Sequence, residues 1–227
     1  MKLAALIRGD LRFQFKYGFY FLYLFFTLFY IGLLAAFPQS WRQKGALLMV
    51  YSDPASLGLF FMGGIVLYEK SERVLDSLAV SPIRSRDYVF SKLLSLSVIS
   101  AAVSLAIGAF GNILTSPLSF LVAIVMGSCL FSAFGLIVAA RIKTLNEFLI
   151  LTVPLQIFIN IPAVWYIFAE RSPWLLLHPG VCMIELFTAG PYSLIALLVL
   201  TGWTIPLFIL ATWAMDKAFE TLGGVKL

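Results

Sequence analysis

Apolar residues fall in long runs along this chain, and charged residues gather in the short segments between them. Six runs approach the ~20 residues that a helix needs to cross about 30 Å of hydrocarbon. They cover roughly 18–37, 54–69, 88–111, 117–140, 147–169 and 192–215. Asp53-Pro54 and Ser116-Pro117 each set a capping side chain before a proline at the first helical position. The second run, SLGLFFMGGIVLY, is short and glycine-rich, and it can begin earlier, within ALLMVYS, with Pro54 as a kink. Residues 1–16 predict an amphipathic helix lying on the membrane surface. Leu3, Leu6, Ile7, Leu11 and Phe15 fall near one face by 3.6-residue periodicity, with Arg8 and Arg12 on another. The plain alternative is a frayed basic tail. Between the fifth and sixth runs, ERSPWLLLHPGVCMIELFTAGP is apolar but interrupted by Pro173, Pro179, Gly180 and Gly190. Packing helices or a shallow re-entrant turn fit it, because non-helical backbone at that depth must be buried in protein or wet.

Composition agrees with a polytopic, all-α membrane protein formed as a single membrane domain. Sixty-one per cent of residues are hydrophobic and only 12% charged, about half the charged share of a soluble domain. The net charge of +5 then reports orientation before it reports any nucleic-acid partner, and none is expected. Thirteen of the sixteen Lys and Arg residues lie on one side of the six spans. Arg42, Lys44 and Arg171 lie on the other. The positive-inside rule places the thirteen, and both termini, in the cytoplasm. No signal peptide is expected, since Arg8, Asp10, Arg12 and Lys16 interrupt any hydrophobic leader. Cys129 and Cys182 have no ligand spacing and predict no disulfide framework.

Candidate chemistry is sparse. His178, in LLLHPG, is the sole histidine, so a clustered metal site is not expected. Ser128 with His178 is the one conceivable intramembrane nucleophile–base pair, but no glycine-flanked serine elbow accompanies it. No GxxxxGKS/T loop is present to hold nucleotide phosphates. The terminal GGVKL has the wrong spacing. The eleven acids all fall at predicted ends or loops, which leaves the span interiors without an ionisable group and argues against an ion-driven carrier. The fifth span carries Pro154, Gln156, Asn160 and Pro162. Its amides want partners, so it faces protein or a cavity. Helix packing is the simpler reading for Gln156, and a pathway lining fits Asn160 equally well.

One charged island interrupts the apolar pattern: EKSERVLDSLAVSPIRSRDYVFSK, residues 69–92, with five basic and four acidic side chains. Residues 72–80 predict a short amphipathic helix, with Val74, Leu75 and Leu78 on one side and Glu72 and Asp76 on the other. Ser81-Pro82 stops it, because the residue before proline avoids the helical region. This segment, with Tyr88, Lys92 and Leu93 after it, resembles the cytoplasmic loop of ABC-2 type permeases. Asn146 and Glu147 at the start of the fifth span, with Pro154 and Pro162 inside it, are also similar to that family. The family often has glycine where this chain has Arg73, a departure that implies a more continuous helix.

The resemblance implies an ABC-2 (type V exporter-like) fold of six transmembrane helices with an N-terminal interfacial helix. It implies the membrane subunit of an ATP-driven exporter, in the plasma membrane, paired with a second copy or a paralogue. This chain would bind no cofactor, while ATP and Mg would sit on a separate ATP-binding subunit. Residues 72–80 would be the coupling helix, so that Glu69, Glu72, Arg73, Leu75, Asp76, Leu78, Ser81 and Pro82 form the docking region, braced by the N-terminal helix. Nucleotide-driven closure would shift the first, second and fifth spans. The cargo would be a hydrophobic or amphipathic small molecule or lipid; similar small members are associated with drug export, including fluoroquinolone-type permeases. A membrane scaffold or assembly factor, or an intramembrane enzyme, are the alternatives.

Overall fold

The computed structural model describes residues 2–169 and 172–223. Arg171 and Lys226, both counted in the charge asymmetry, lie outside the described residues, as does Glu170. Ten α-helices make up the described fold: α1 (Lys2–Lys16), α2 (Phe19–Ala36), α3 (Gln39–Ser52), α4 (Leu59–Ser71), α5 (Val74–Ala79), α6 (Ser85–Phe110), α7 (Pro117–Arg141), α8 (Leu145–Phe168), α9 (Pro179–Phe187) and α10 (Ser193–Gly223). Six continuous helical stretches are long and apolar enough to cross a membrane. The chain is a polytopic, all-α membrane protein. The end carrying α1, α5 and the start of α6 is called here the basic end.

The second span follows the earlier-start alternative and not the start at Asp53-Pro54. One helical stretch runs from Gln39 to Ser71, 33 residues, through a π-helical turn at Asp53–Gly58. Position 54 has no backbone N–H to give, and the local ladder widens there instead of breaking. Two carbonyls of this turn find partners on other helices. Ala55 O accepts from Gln156 Nε2 at 2.8 Å, and Gly58 O accepts from Ser132 Oγ at 3.3 Å. Asp53 is therefore inside a span, fully buried. Lys92 is buried two turns inside the third span, which begins at Ser85 and not at 88. Both findings overturn the expectation that span interiors lack ionisable groups. The sixth span also continues past 215, to Gly223.

Helix α7 is central, packed against α4, α6, α9 and α10. Gly135 makes the α4–α7 contact possible, since a side chain there would run into the backbone of Leu59. Such small-residue seams are how membrane helices approach closely. Helix α2 stays mostly on the periphery and shows Phe21, Leu28 and Phe29 to the surroundings.

The interrupted segment before α10 folds back against the bundle. Leu177 O accepts from Trp203 Nε1 at 3.0 Å, and Met183 lies against Gly127. Both partners sit about 15 Å inside their helices at 1.5 Å per residue. The chain therefore descends through a 3₁₀ turn at Pro173–Leu177 and returns as the wholly buried α9. His178 caps the start of α9, its Nδ1 accepting from the Gly180 N–H at 3.2 Å. Burial pushes its pKa down to about 4. Ser128 bonds instead to Ser100, so the imagined Ser128–His178 dyad does not form.

Candidate functional site

The charged island folds into a joint. Helix α4 ends at Ser71. The Glu72 N–H closes on Tyr68 O at 3.0 Å and the Arg73 N–H on Lys70 O at 3.1 Å. Arg73 then turns left-handed, at φ 56° and ψ 24°. That conformation costs an L-residue with a side chain roughly 1–2 kcal/mol and costs glycine little. The expected continuity from residue 72 is not found. Glu72 and Arg73 form the break, and α5 keeps only Val74–Ala79. Ser81 Oγ donates back to Leu78 O at 2.7 Å, and Pro82 follows before α6 begins.

This double turn brings the last turn of α4 against the first turns of α6. Glu69 meets Tyr88 and Lys92, which are one turn apart on a single face of α6. Tyr88 OH donates to Glu69 Oε2 at 2.6 Å, and Lys92 Nζ bonds Glu69 Oε1. Helix α1 completes the cluster. Lys92 Nζ lies 2.6 Å from Asp10 Oδ1, Ser91 Oγ donates to Asp10 Oδ2, and Gln14 Nε2 donates to Ser95 Oγ at 2.8 Å. Phe13 and Tyr88 hold their rings about Lys92 Nζ, with centroids at 5.5 and 5.3 Å. Asp10, Glu69 and Lys92 are all buried. An ammonium taken from water at this depth needs paired charge and satisfied hydrogen bonds, and it has two carboxylates. The cluster rivets α1, α4 and α6 together.

Asp10 and Gln14 were missed as site residues. Their signal was a polar pair one turn apart, interrupting the inward face that Leu3, Leu6 and Ile7 begin. The expected apolar face is corrected at Phe15, which points away from the protein and is 75% exposed.

Around this rivet the other sequence candidates separate into anchors and free surface. Leu75 is fully buried, on a helix that packs against α10 and α4. Glu72, Arg73, Val74, Ser77 and Val80 face outward. A cleft of about 490 Å³ opens between α1 and α5, with Leu6 and Phe13 on one wall, Val74 and Leu78 on the other, and the charged cluster at its floor. Pro82 lines the same cleft. On the opposite side of α5, a cleft of about 430 Å³ is lined by Asp76, Lys70, Arg141 and Lys143. There Lys70 Nζ donates to the carbonyls of Ala139, Ala140 and Ile142 at 2.6–2.9 Å. It caps the C-terminus of α7, where a cation suits the helix dipole.

The fifth-span candidates lie elsewhere and do not join this site. Thr144 Oγ1 accepts from the Glu147 N–H at 3.2 Å, and Glu147 Oε2 accepts from the Lys143 N–H at 3.3 Å. This reciprocal cap starts α8; Asn146 is exposed on its first turn. Helix α8 runs through Pro154 and Pro162 without a break. Gln156 is buried and fully engaged, accepting from Ser56 Oγ at 3.1 Å and from Asn160 Nδ2 at 2.9 Å. Asn160 is half-buried and borders an open apolar cleft with Ile157, Ile161, Trp165 and Phe168. Gln156 is thus helix glue, while Asn160 reaches both protein and cleft.

Among the described residues no group of three or more His, Cys, Asp or Glu could hold a metal. What the basic end offers is mechanical: a short surface helix, a strained joint and a charge-locked base. The fluoroquinolones export permease protein family matches residues 1–219. Two relatives from Mycobacterium tuberculosis, one from strain CDC 1551 / Oshkosh and one from strain ATCC 25618 / H37Rv, are each described as a fluoroquinolones export permease protein. Each is 29% identical over 219 residues, spanning 96% of this chain and 86% of the relative. Both relatives are described as permeases, in keeping with a transport subunit of the ABC-2 type. A six-span helical fold with its charged joint at one end, matched over nearly its whole length, makes this chain a member of the fluoroquinolones export permease protein family.

Proposed function

We propose that this permease is the membrane subunit of an ATP-driven exporter, with its basic end and both termini in the cytoplasm. A separate ATP-binding subunit, carrying ATP and Mg, docks there. A second copy or a paralogue completes the pathway, and the cargo is an amphipathic small molecule of fluoroquinolone-like chemistry or a lipid. The observation that carries this reading is the placement of α5. Its outward residues Val74, Ser77 and Val80 stand free for a partner, while Leu75 and the Asp10–Glu69–Lys92 rivet connect it to α10, α4, α6 and α1. A push on α5 reaches the spans through buried contacts. Glu69 is the rivet's link to the joint, Arg73 the hinge, and Glu72, Asp76, Leu78, Ser81 and Pro82 shape the docking surface. Gln156 and Asn160 lie along the fifth span, where Asn160 can meet cargo.

The test is co-purification and reconstitution with an ATP-binding subunit. The permease alone should hydrolyse no ATP. The pair in proteoliposomes should hydrolyse it and move a fluorescent fluoroquinolone. Replacing 74–79 by a Gly-Ser linker should leave membrane insertion intact and abolish transport. Arg73→Gly should keep transport, since glycine suits the left-handed joint. Arg73→Pro should lose it, because the ring fixes φ near about −65°. Transport that survives the linker replacement would overturn the coupling role of α5.

A further inference from the structure

Four buried polar atoms without a hydrogen-bond partner gather in the membrane interior: both carboxylate oxygens of Asp53, Tyr23 Oη and Ser104 Oγ. Asp53 and Tyr23 are electrostatic neighbours, and the Ser100 hydroxyl lies beside both. Ser104 follows by register. Helices α3 and α6 are antiparallel, with Ala46 against Gly111 near one end, and Glu69, further along the same helical stretch, bonds Tyr88 at the other. That pairing sets Asp53 level with Ser104, one turn from Ser100 on the same face of α6. Ser128 of α7 donates to Ser100 at 3.5 Å and closes the group from behind.

Buried polar groups are normally satisfied, and an unpaired buried carboxylate is among the most costly things a fold can hold. No lysine, arginine or histidine pairs with Asp53 among the described residues. Its one titratable neighbour is Tyr23, from α2. From α6 the Ser100 hydroxyl lies beside it. The π-helical turn at Asp53–Gly58 begins at this carboxylate, and such turns are frequent at functional sites. We propose that Asp53, Tyr23, Ser100 and Ser104 form an intramembrane site for one small monovalent cation, sodium or a proton. An oxygen-only donor set suits a hard cation. A single carboxylate balances one charge, which favours a monovalent ion over a divalent one. The site joins α2, the second span and α6, so occupancy governs how tightly these three helices hold together. The permease thereby senses an ion as well as its ATP-binding partner, which separates this inference from the coupling role of α5.

The experiment uses the full chain in lipid nanodiscs. Binding of ²²Na⁺ is measured at fixed pH, and thermal unfolding is followed in NaCl against choline chloride at equal ionic strength. A pH series in choline alone forms the second arm. Saturable ²²Na⁺ binding near one ion per chain, with a matching rise in unfolding temperature, identifies sodium. An Asp53-dependent rise in unfolding temperature as pH falls in choline, without ²²Na⁺ binding, identifies the proton. Asp53→Asn should abolish either response. Tyr23→Phe and Ser104→Ala, which remove one ligand oxygen and strand no charge, should each weaken the ion's affinity about tenfold, and they carry the test if Asp53→Asn does not fold. An unfolding temperature indifferent to both ions, or a response unchanged in all three variants, overturns the proposal.

Discussion

Lys92 and Asp53 are both buried charged side chains in membrane-spanning helices, yet their surroundings are opposite. Lys92 is held by two carboxylates and two aromatic rings, and its carboxylate partners take further donors from Tyr88 and Ser91. Asp53 has the Ser100 hydroxyl beside it and, among the described residues, no cation to pair with. Charge buried with its partners is structure, and it fixes where helices meet. Charge buried without them is stored cost, which a fold keeps where something else arrives to balance it. The same α6 helix carries both, with the rivet on its first turns and the Ser100–Ser104 face further along.

The sharpest way to break this contrast is to remove the ammonium. Lys92→Met leaves Asp10 and Glu69 facing each other without a cation, and breaking a buried ion group from one side costs ~3–5 kcal/mol. Thermal unfolding in detergent should show that loss, and fluorescence-detected size-exclusion chromatography should show a shrinking monodisperse peak. A variant as stable as the parent would remove the rivet from the argument. Glu69→Gln is milder. It keeps an acceptor for Tyr88 and leaves Lys92 paired with Asp10, so the loss is that of one charge-assisted hydrogen bond, ~1.5–3 kcal/mol. The amide should also loosen α4 from α6, which hydrogen exchange at Ser71–Val74 would report.

How much of this contrast could be read in the sequence depends on range. The six spans follow from apolar runs, and the stop at Ser81-Pro82 follows from local chemistry. The Thr144 and Glu147 cap is equally local. Asp53-Pro54 misled because a capping residue before proline reads as a helix start. The helix passes through that point in a turn held by contacts from far along the chain, Gln156 on Ala55 O and Ser132 on Gly58 O. Asp10 broke the inward face of α1 visibly, but its role did not show, since its partners Ser91 and Lys92 lie some eighty positions away. Arg73 shows the reverse. The usual glycine of the ABC-2 loop implies a left-handed joint, and the joint forms even with arginine, because the contacts of Leu75 and Glu69 on either side decide it.

Asp53→Asn should behave as the inverse of Lys92→Met. It removes a charge that has no partner, so in sodium-free buffer at neutral pH the unfolding free energy should rise or stay within ~1 kcal/mol of the parent. Adding the cation the site takes, sodium or, as pH falls, protons, should then stabilise the parent and leave the variant unchanged. A loss as large as that of Lys92→Met, in the absence of sodium, would mean that Asp53 is held by contacts of the same kind as the rivet, and the contrast between the two sites would fall.

Titration offers a third case, in which an unpaired buried charge is made without mutation. His178 caps α9 through an Nδ1 that must be unprotonated to accept from Gly180, and burial lowers its pKa from 6.5 to about 4. A histidine whose folded pKa lies below its unfolded one contributes full stability above the unfolded value and loses it as pH falls through the folded one. The α9 segment should therefore weaken between about pH 6.5 and 4. Protection factors in α9, corrected for the intrinsic exchange rate at each pH, should fall over that window while those on the Asp10–Lys92 face of α1 hold. His178→Asn, which can still accept at the helix start, should flatten the profile. The effect should be smaller than either mutation at the rivet, because His178 is only partly enclosed whereas Lys92 is fully buried.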